Sequence, residues 1–175
     1  MYQYEDFKEN RALNVKFIEG IDRIHQTTEN RVQIAKQRNV EVSKADLKNR
    51  PDDPRAYFNL ANSYVGAGEF KKARKMFLDF IEKSKSDDEN YIAYKNLSSI
   101  EQALGNKDKA ILYSRIAIGL KPDIPDAYYQ IGYMMFEFER YDDAEQYLMW
   151  GMKMKPQIHK LIVFNPRDYD YNPIS

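Results

Sequence analysis

The sequence predicts an all-α chain: three stacked helix-turn-helix units, preceded by one longer helix and followed by an irregular tail. Three observations carry this. First, three segments align on one another: PRAYFNLANSYVGAGEFKKARKMF, YIAYKNLSSIEQALGNKDKAILYS and PDAYYQIGYMMFEFERYDDAEQYL. They begin at Pro54, Tyr91 and Pro125, spacings of 37 and then 34 residues, a period that marks a repeat architecture. Second, apolar and small residues recur at fixed places. Tyr57, Tyr94 and Tyr128 stand fourth, and Leu60, Leu97 and Ile131 seventh. Ala61, Ser98 and Gly132 stand eighth, and Ala73, Ala110 and Ala144 twentieth. Third, turn signals separate the halves: Gly66 with Gly68, and Gly105-Asn106.

The elements follow in chain order. Residues 1–27 form an N-terminal segment in which NVKFIEGIDRIH reads as strand-like, although no second strong strand exists to pair with it. It has the look of a remnant of an upstream domain. Residues 28–50 are one packing helix, with Thr28 as cap, Pro51 as stop and an apolar stripe of Val32, Ala35, Val42 and Leu47. Residues 51–156 hold the three units, at 54–87, 91–122 and 125–156. Positions four, seven, eight and eleven of each unit share one helical face. The small eighth residue lets the second helix approach, and the alanine at twenty is its partner. Asp53-Pro54 caps and opens the first helix, Pro125 opens the fifth, and Pro122 and Pro156 end the second helices of their units. Residues 157–175 are a connector toward a further unit.

This pattern resembles the tetratricopeptide repeat over residues 54 to 156, against the alternative of an unrelated antiparallel bundle. The resemblance implies a right-handed superhelix. There are departures. The first unit has three extra residues around Lys83 to Asn90 and lacks the terminal proline. Glu101 and Phe80 stand where an aromatic and a small residue are usual. The resemblance also implies a ligand groove lined by positions two, five, nine and twelve of each first helix. These are Arg55, Phe58, Asn62 and Val65; Ile92, Lys95, Ser99 and Gln102; Asp126, Tyr129, Tyr133 and Phe136. Some members of the family clamp a chaperone's C-terminal carboxylate with Lys, Asn, Asn, Lys and Arg. Here Asn62 and Asn96 match the two asparagines, but Phe58, Asp126 and Gln130 occupy the cationic positions. A carboxylate would be left unpaired, so the clamp is excluded. What remains is an aromatic groove suited to an apolar or tyrosine-stacking protein segment. Its partner-binding residues are Arg55, Phe58, Asn62, Lys95, Asn96, Ser99, Tyr129, Tyr133 and Phe136; packing of several of these rings between units is the alternative.

A second resemblance rests on IHQTTENR and RNVEVSKADLKNRPDDPRAYFNLANSY, together with the tail IVFNPRDYDYNP. These strings are similar to the junction in family 2 glycosyltransferases that carry C-terminal tetratricopeptide repeats. The resemblance implies a repeat module cut from, or related to, a sugar-transferring enzyme. It also implies that His25 has a metal role only in a longer parent.

Composition narrows the rest. Lys plus Arg and Asp plus Glu are 27 each, so net charge is zero, and neither a nucleic-acid face nor an acidic tail is indicated. The absence of Cys rules out disulfides and thiolate chemistry and points to a reducing, cytoplasmic compartment. No apolar window approaches the roughly 18 residues of a membrane span, and no signal peptide is visible. The 14 Tyr and 9 Phe fit inter-helix packing and sticky grooves better than chemistry.

Candidate chemistry is sparse. Asp168-Tyr169-Asp170 has the form of a glycosyltransferase metal motif, but a nucleotide-binding half would have to precede it. A turn opened by Asn165-Pro166 is the better reading. His159 has no partner suggested by sequence. Asp87, Asp88, Glu89, Asp142 and Asp143 read as helix-start acids facing water. No catalytic residue, cofactor or metal is expected of this chain alone. Three functions stand: a scaffolding module of a family 2 glycosyltransferase holding an acceptor protein or partner subunit, a free-standing adaptor, or an enzyme proper. The last helix, read as Tyr141 to Met154, has more apolar residues than one stripe needs, Trp150 among them. Self-association through this C-terminal end, or a fold-back of the tail, would cover it.

Overall fold

The computed structural model describes residues 29–154, which form seven helices. They are α1 (Glu29–Asn49), α2 (Pro54–Gly66), α3 (Phe70–Lys83), α4 (Asp87–Ala103), α5 (Lys107–Leu120), α6 (Asp126–Glu137) and α7 (Tyr141–Met152). No strand occurs among the described residues. Helices α2/α3, α4/α5 and α6/α7 pair as hairpins. Helix α1 packs on α2, while α3/α4 and α5/α6 join successive hairpins. The most extensive packing is thus between helices that neighbour one another in sequence, the order of a solenoid.

Local chemistry sets the helix ends. The Asp53 carboxylate accepts from the Arg55 amide at 2.9 Å, with Pro54 opening α2. Ser86 caps α4 by accepting from the Glu89 amide at 3.3 Å, and three acids fill the first turn, where the helix dipole favours them. Within each hairpin the chain turns at the fifteenth position through a left-handed residue: Gly68 (φ 77°), Gly105 (φ 78°) and, in the third, Glu139 (φ 60°).

The small residues close the hairpins. Ala61, Ser98, Ala73 and Ala110 are fully buried, and Ala144 nearly so. Position eight meets position twenty directly: the Ser98 hydroxyl donates to the Ala110 carbonyl at 2.7 Å. A Cβ on Gly132 would lie 3.4 Å from the Ala144 carbonyl oxygen and 2.8 Å from the Leu148 side chain. The core is layered. Val40, Leu60, Phe77, Phe80, Leu97 and Ile100 anchor the first cluster, and Ile131, Met134, Met135 and Ala144 a later one.

Four expectations need correction. On α1 the buried residue is Val40, with Ala35, Lys36, Ser43 and Leu47 half-buried; Val32 and Val42 are exposed. Residues 36, 40, 43 and 47 share a helical face, whereas Val42 lies well around the helix from Val40. Pro125 precedes α6 as its cap residue, already in helical backbone (φ −71°, ψ −25°), and offers no side-chain cap bond. Helix α7 ends at Met152. Asp88 and Glu89 do not simply face water, since Asp88 pairs with Lys121 and Glu89 with Arg55. The strand-like segment, Thr28, Pro156 and the 157–175 connector lie outside the described residues.

Candidate functional site

Positions two and five of the first unit, with position two of the second, bring Arg55, Phe58 and Ile92 together. They line a cleft of ≈ 190 Å³, completed by Asn59, Phe80 and Glu89. Phe58 is packed in place: its ring meets Phe77 and Phe80 edge-on, at centroid distances of 5.5 and 5.2 Å, a preferred aromatic geometry. The rim is polar and balanced, with the Arg55 guanidinium donating to the Glu89 carboxylate at 3.4 Å. Most of the Arg55 side chain stays in water. An apolar floor under a neutralised rim suits an apolar side chain from an otherwise polar segment.

The next seam, between α4 and α6, is bridged instead by its own side chains. Lys95 Nζ donates to Asp126 Oδ1 at 2.6 Å. Gln130 Nε2 donates to Ser99 Oγ at 2.8 Å and to the Lys95 carbonyl at 3.2 Å. Gln102 Nε2 donates to Glu137 Oε2 at 2.8 Å. Lys95 and Ser99 are therefore engaged in holding two units in register. Behind them Ser114 donates to Ser98 Oγ at 2.7 Å and lies 3.1 Å from Gln130 Oε1, so a polar network runs through this seam.

The other expected residues divide. Asn62 on α2 is exposed and Asn96 on α4 half-buried. Tyr129 lies against α7, where a Cβ on Gly151 would come within 2.8 Å of its Cδ1. Tyr133 and Phe136 are 64% and 61% exposed, with Phe136 edge-on to Tyr141 at 5.5 Å. His25, His159, Asp168 and Asp170 lie outside the described residues. Among the described residues no group of three or more His, Asp or Glu could hold a metal ion, and no helix is long and apolar enough to cross a membrane.

Sequence reasoning missed Asn59, Phe80 and Glu89. Phe80 was the available signal: a large ring at a position where the repeat pattern wants a small residue must either pack against a neighbour or open a gap beside it. Glu89 lies in the stretch Lys83 to Asn90, around the three extra residues of the first unit and ahead of the aligned segment that begins at Tyr91.

The tetratricopeptide repeat family model matches residues 33–119. Most of α1 thus falls within the matched region, together with nearly all of both hairpins that form the cleft. Solved structures similar to this chain include the crystal structure of MamA, at TM-score 0.60 and 22% identity over 75% of this chain and 77% of that one. Another is MamA residues 41 to the end from Desulfovibrio magneticus RS-1, at TM-score 0.62 and 20% identity over 69% and 66% of the two chains. The chain has a tetratricopeptide repeat fold. A curated relative, the STIP1 homolog of Dictyostelium discoideum, is 29% identical over 103 residues. That alignment covers 59% of this chain, which spans only 18% of the relative's length.

Proposed function

We propose that the chain is a non-catalytic protein-interaction module that receives an apolar side chain of a partner segment in the cleft between α2 and α4. The observation behind this is the juxtaposition of Phe58, Phe80 and Ile92 beneath the Arg55–Glu89 pair. The cleft lies on the first helices of two consecutive units, and the family match supports the same use. Asn62 and Asn96 extend the site along α2 and α4 with amides that can serve a bound backbone, while Ser99 stays engaged with Gln130. Lys95 acts by fixing the register of α4 against α6. A cytoplasmic setting, without nucleic acid or membrane as partner, belongs to the same reading.

Attachment to a family 2 glycosyltransferase rests on the junction strings alone. The repeat match and the relatives above fit a free-standing adaptor equally well. The sequence of the open reading frame around the chain separates the two, since the first requires an upstream nucleotide-sugar domain.

The cleft is tested by selecting peptides from a random display library on the full chain. The selections are then repeated on Asn59→Trp, which fills the cleft from an exposed position, and on Arg55→Glu. Selected peptides should share an apolar anchor and lose at least tenfold in affinity on Asn59→Trp, about 1.4 kcal/mol. Peptides that bind both variants as well as the parent would place the site elsewhere.

A further inference from the structure

We propose that the end of the array formed by α6 and α7 docks on the outer face of α1 of a second copy, head to tail. The register of the units points to this. In the α4/α6 seam, Ser99 and Gln102, at positions nine and twelve of the second unit, reach Gln130 and Glu137 on α6. The same positions of the third unit, on α6, are Tyr133 and Phe136, both largely exposed. On α5, Ile111 and Ile118 pack onto the α6 cluster; their counterparts on α7 are Glu145 and Met152, both exposed. The α6/α7 end therefore presents one half of an inter-unit seam, built from rings and thioethers and left open among the described residues.

Charge and pattern select the occupant. Of the acids in residues 126–152, Asp126 pairs with Lys95, Glu137 accepts from Gln102 and Asp143 pairs with Arg140, which leaves Glu139, Asp142 and Glu145 outside the ion pairs among the described residues. Helix α1 is basic, and its face opposite Val40 forms a second stripe: Arg31, Ile34, Arg38, Val42 and Ala45, spaced 3, 4, 4 and 3, all exposed. Ile34 and Val42 are 61% and 63% exposed. Neither Arg31 nor Arg38 joins an ion pair among the described residues. A helix whose second apolar stripe is studded with arginines matches an end made of aromatic faces and carboxylates. Guanidinium groups lie favourably over Tyr and Phe rings and pair with Glu145, while Ile34 and Val42 meet Met149 and Met152. This pairing is independent of the α2/α4 cleft. Because two different surfaces meet, the association is heterologous and continues as a ring or a chain of copies.

The test uses sedimentation velocity of the full chain across about 10 to 200 μM, the range of weak association, with circular dichroism as the fold check. The parent should form a concentration-dependent series of species that recedes as salt rises. Arg31→Glu/Arg38→Glu and Tyr133→Ser/Met149→Glu should each stay monomeric alone. Mixed together, the two should give a dimer and nothing larger, since each retains one sound surface. A monomeric parent overturns the proposal. So does self-association of the Arg31→Glu/Arg38→Glu variant, which would mean that like ends meet.

Discussion

Glu139 occupies the turn position that the two preceding hairpins give to Gly68 and Gly105, at φ 60°. An L-residue with a Cβ pays about 1 kcal/mol or more for that conformation. Glu139→Gly should raise the unfolding free energy by about 1 kcal/mol in denaturant titration, and Gly68→Ala should lower it by a similar amount. A neutral Glu139→Gly would mean that the Glu side chain offsets its backbone strain. The recurrent fourth-position tyrosine has a separate cause. Tyr57 and Tyr128 donate to the carbonyls of Pro51 and Pro122 at 2.9 and 3.0 Å, tying each first helix to the chain entering it. Tyr94, with no proline six residues before it, lies against Tyr113 instead, at a centroid distance of 5.9 Å. Burial, with Asp123 as a second influence, raises the Tyr128 pKa above its ordinary value. A raised folded-state pKa gives stability that is complete below the ordinary tyrosine range and disappears as pH climbs through the folded value. Stability measured against alkaline pH should therefore fall less steeply in Tyr128→Phe than in the parent, although the variant starts lower for want of the hydrogen bond.

Among the elements, α4 holds the least expected group. Glu101 is fully buried, where the repeat pattern calls for an aromatic ring. It is matched by Arg74 from α3 at 3.3 Å and by the Asn106 amide at 2.6 Å, so one carboxylate ties the first hairpin to the turn of the second. Removing one partner of such a group costs more than replacing both, because the remaining charge is stranded. Arg74→Met should destabilise by more than 1 kcal/mol. Arg74→Met/Glu101→Leu should recover most of that loss, as read from a double-mutant cycle in urea; additive losses would show that Glu101 does not depend on Arg74. The elements themselves were legible because periodic small residues and turn glycines report local geometry. The face of α1 was not. Its valines at 32, 40 and 42 fall on different sides, and only the partner helix decides which of them is covered.

For the whole molecule, the order of units was readable and the properties of the seams were not. A period in sequence says that Leu60, Leu97 and Ile131 are equivalent; it does not say what fills the space between hairpins. That depends on pairs 31 to 35 residues apart, such as Lys95 with Asp126 or Gln102 with Glu137. The cleft was half legible for the same reason, with Arg55, Phe58 and Ile92 found by position and Phe80 and Glu89 found only by packing. The seams also differ in strength. At the first, Phe77 is a fully buried ring in the cluster that Ala93, Leu97 and Ile100 of α4 join. At the second, the equivalent position is Ser114, in a chain of hydrogen bonds through Ser98 and Gln130. In a linear array stability is a sum of unit and seam contributions, and a large buried ring contributes more to a seam than a hydroxyl does. Helices α6 and α7 should therefore open without the rest. Native-state hydrogen exchange should show their amides exchanging at a lower free energy than those of α2, α3 and α4. Met134→Ala, a core truncation of about 2–5 kcal/mol, should accelerate exchange in α6 and α7 while leaving α2 to α4 unchanged. Phe77→Ala should instead lower protection across α2, α3 and α4 together. Equal acceleration of every helix by Met134→Ala would show that the second seam couples the units as tightly as the first.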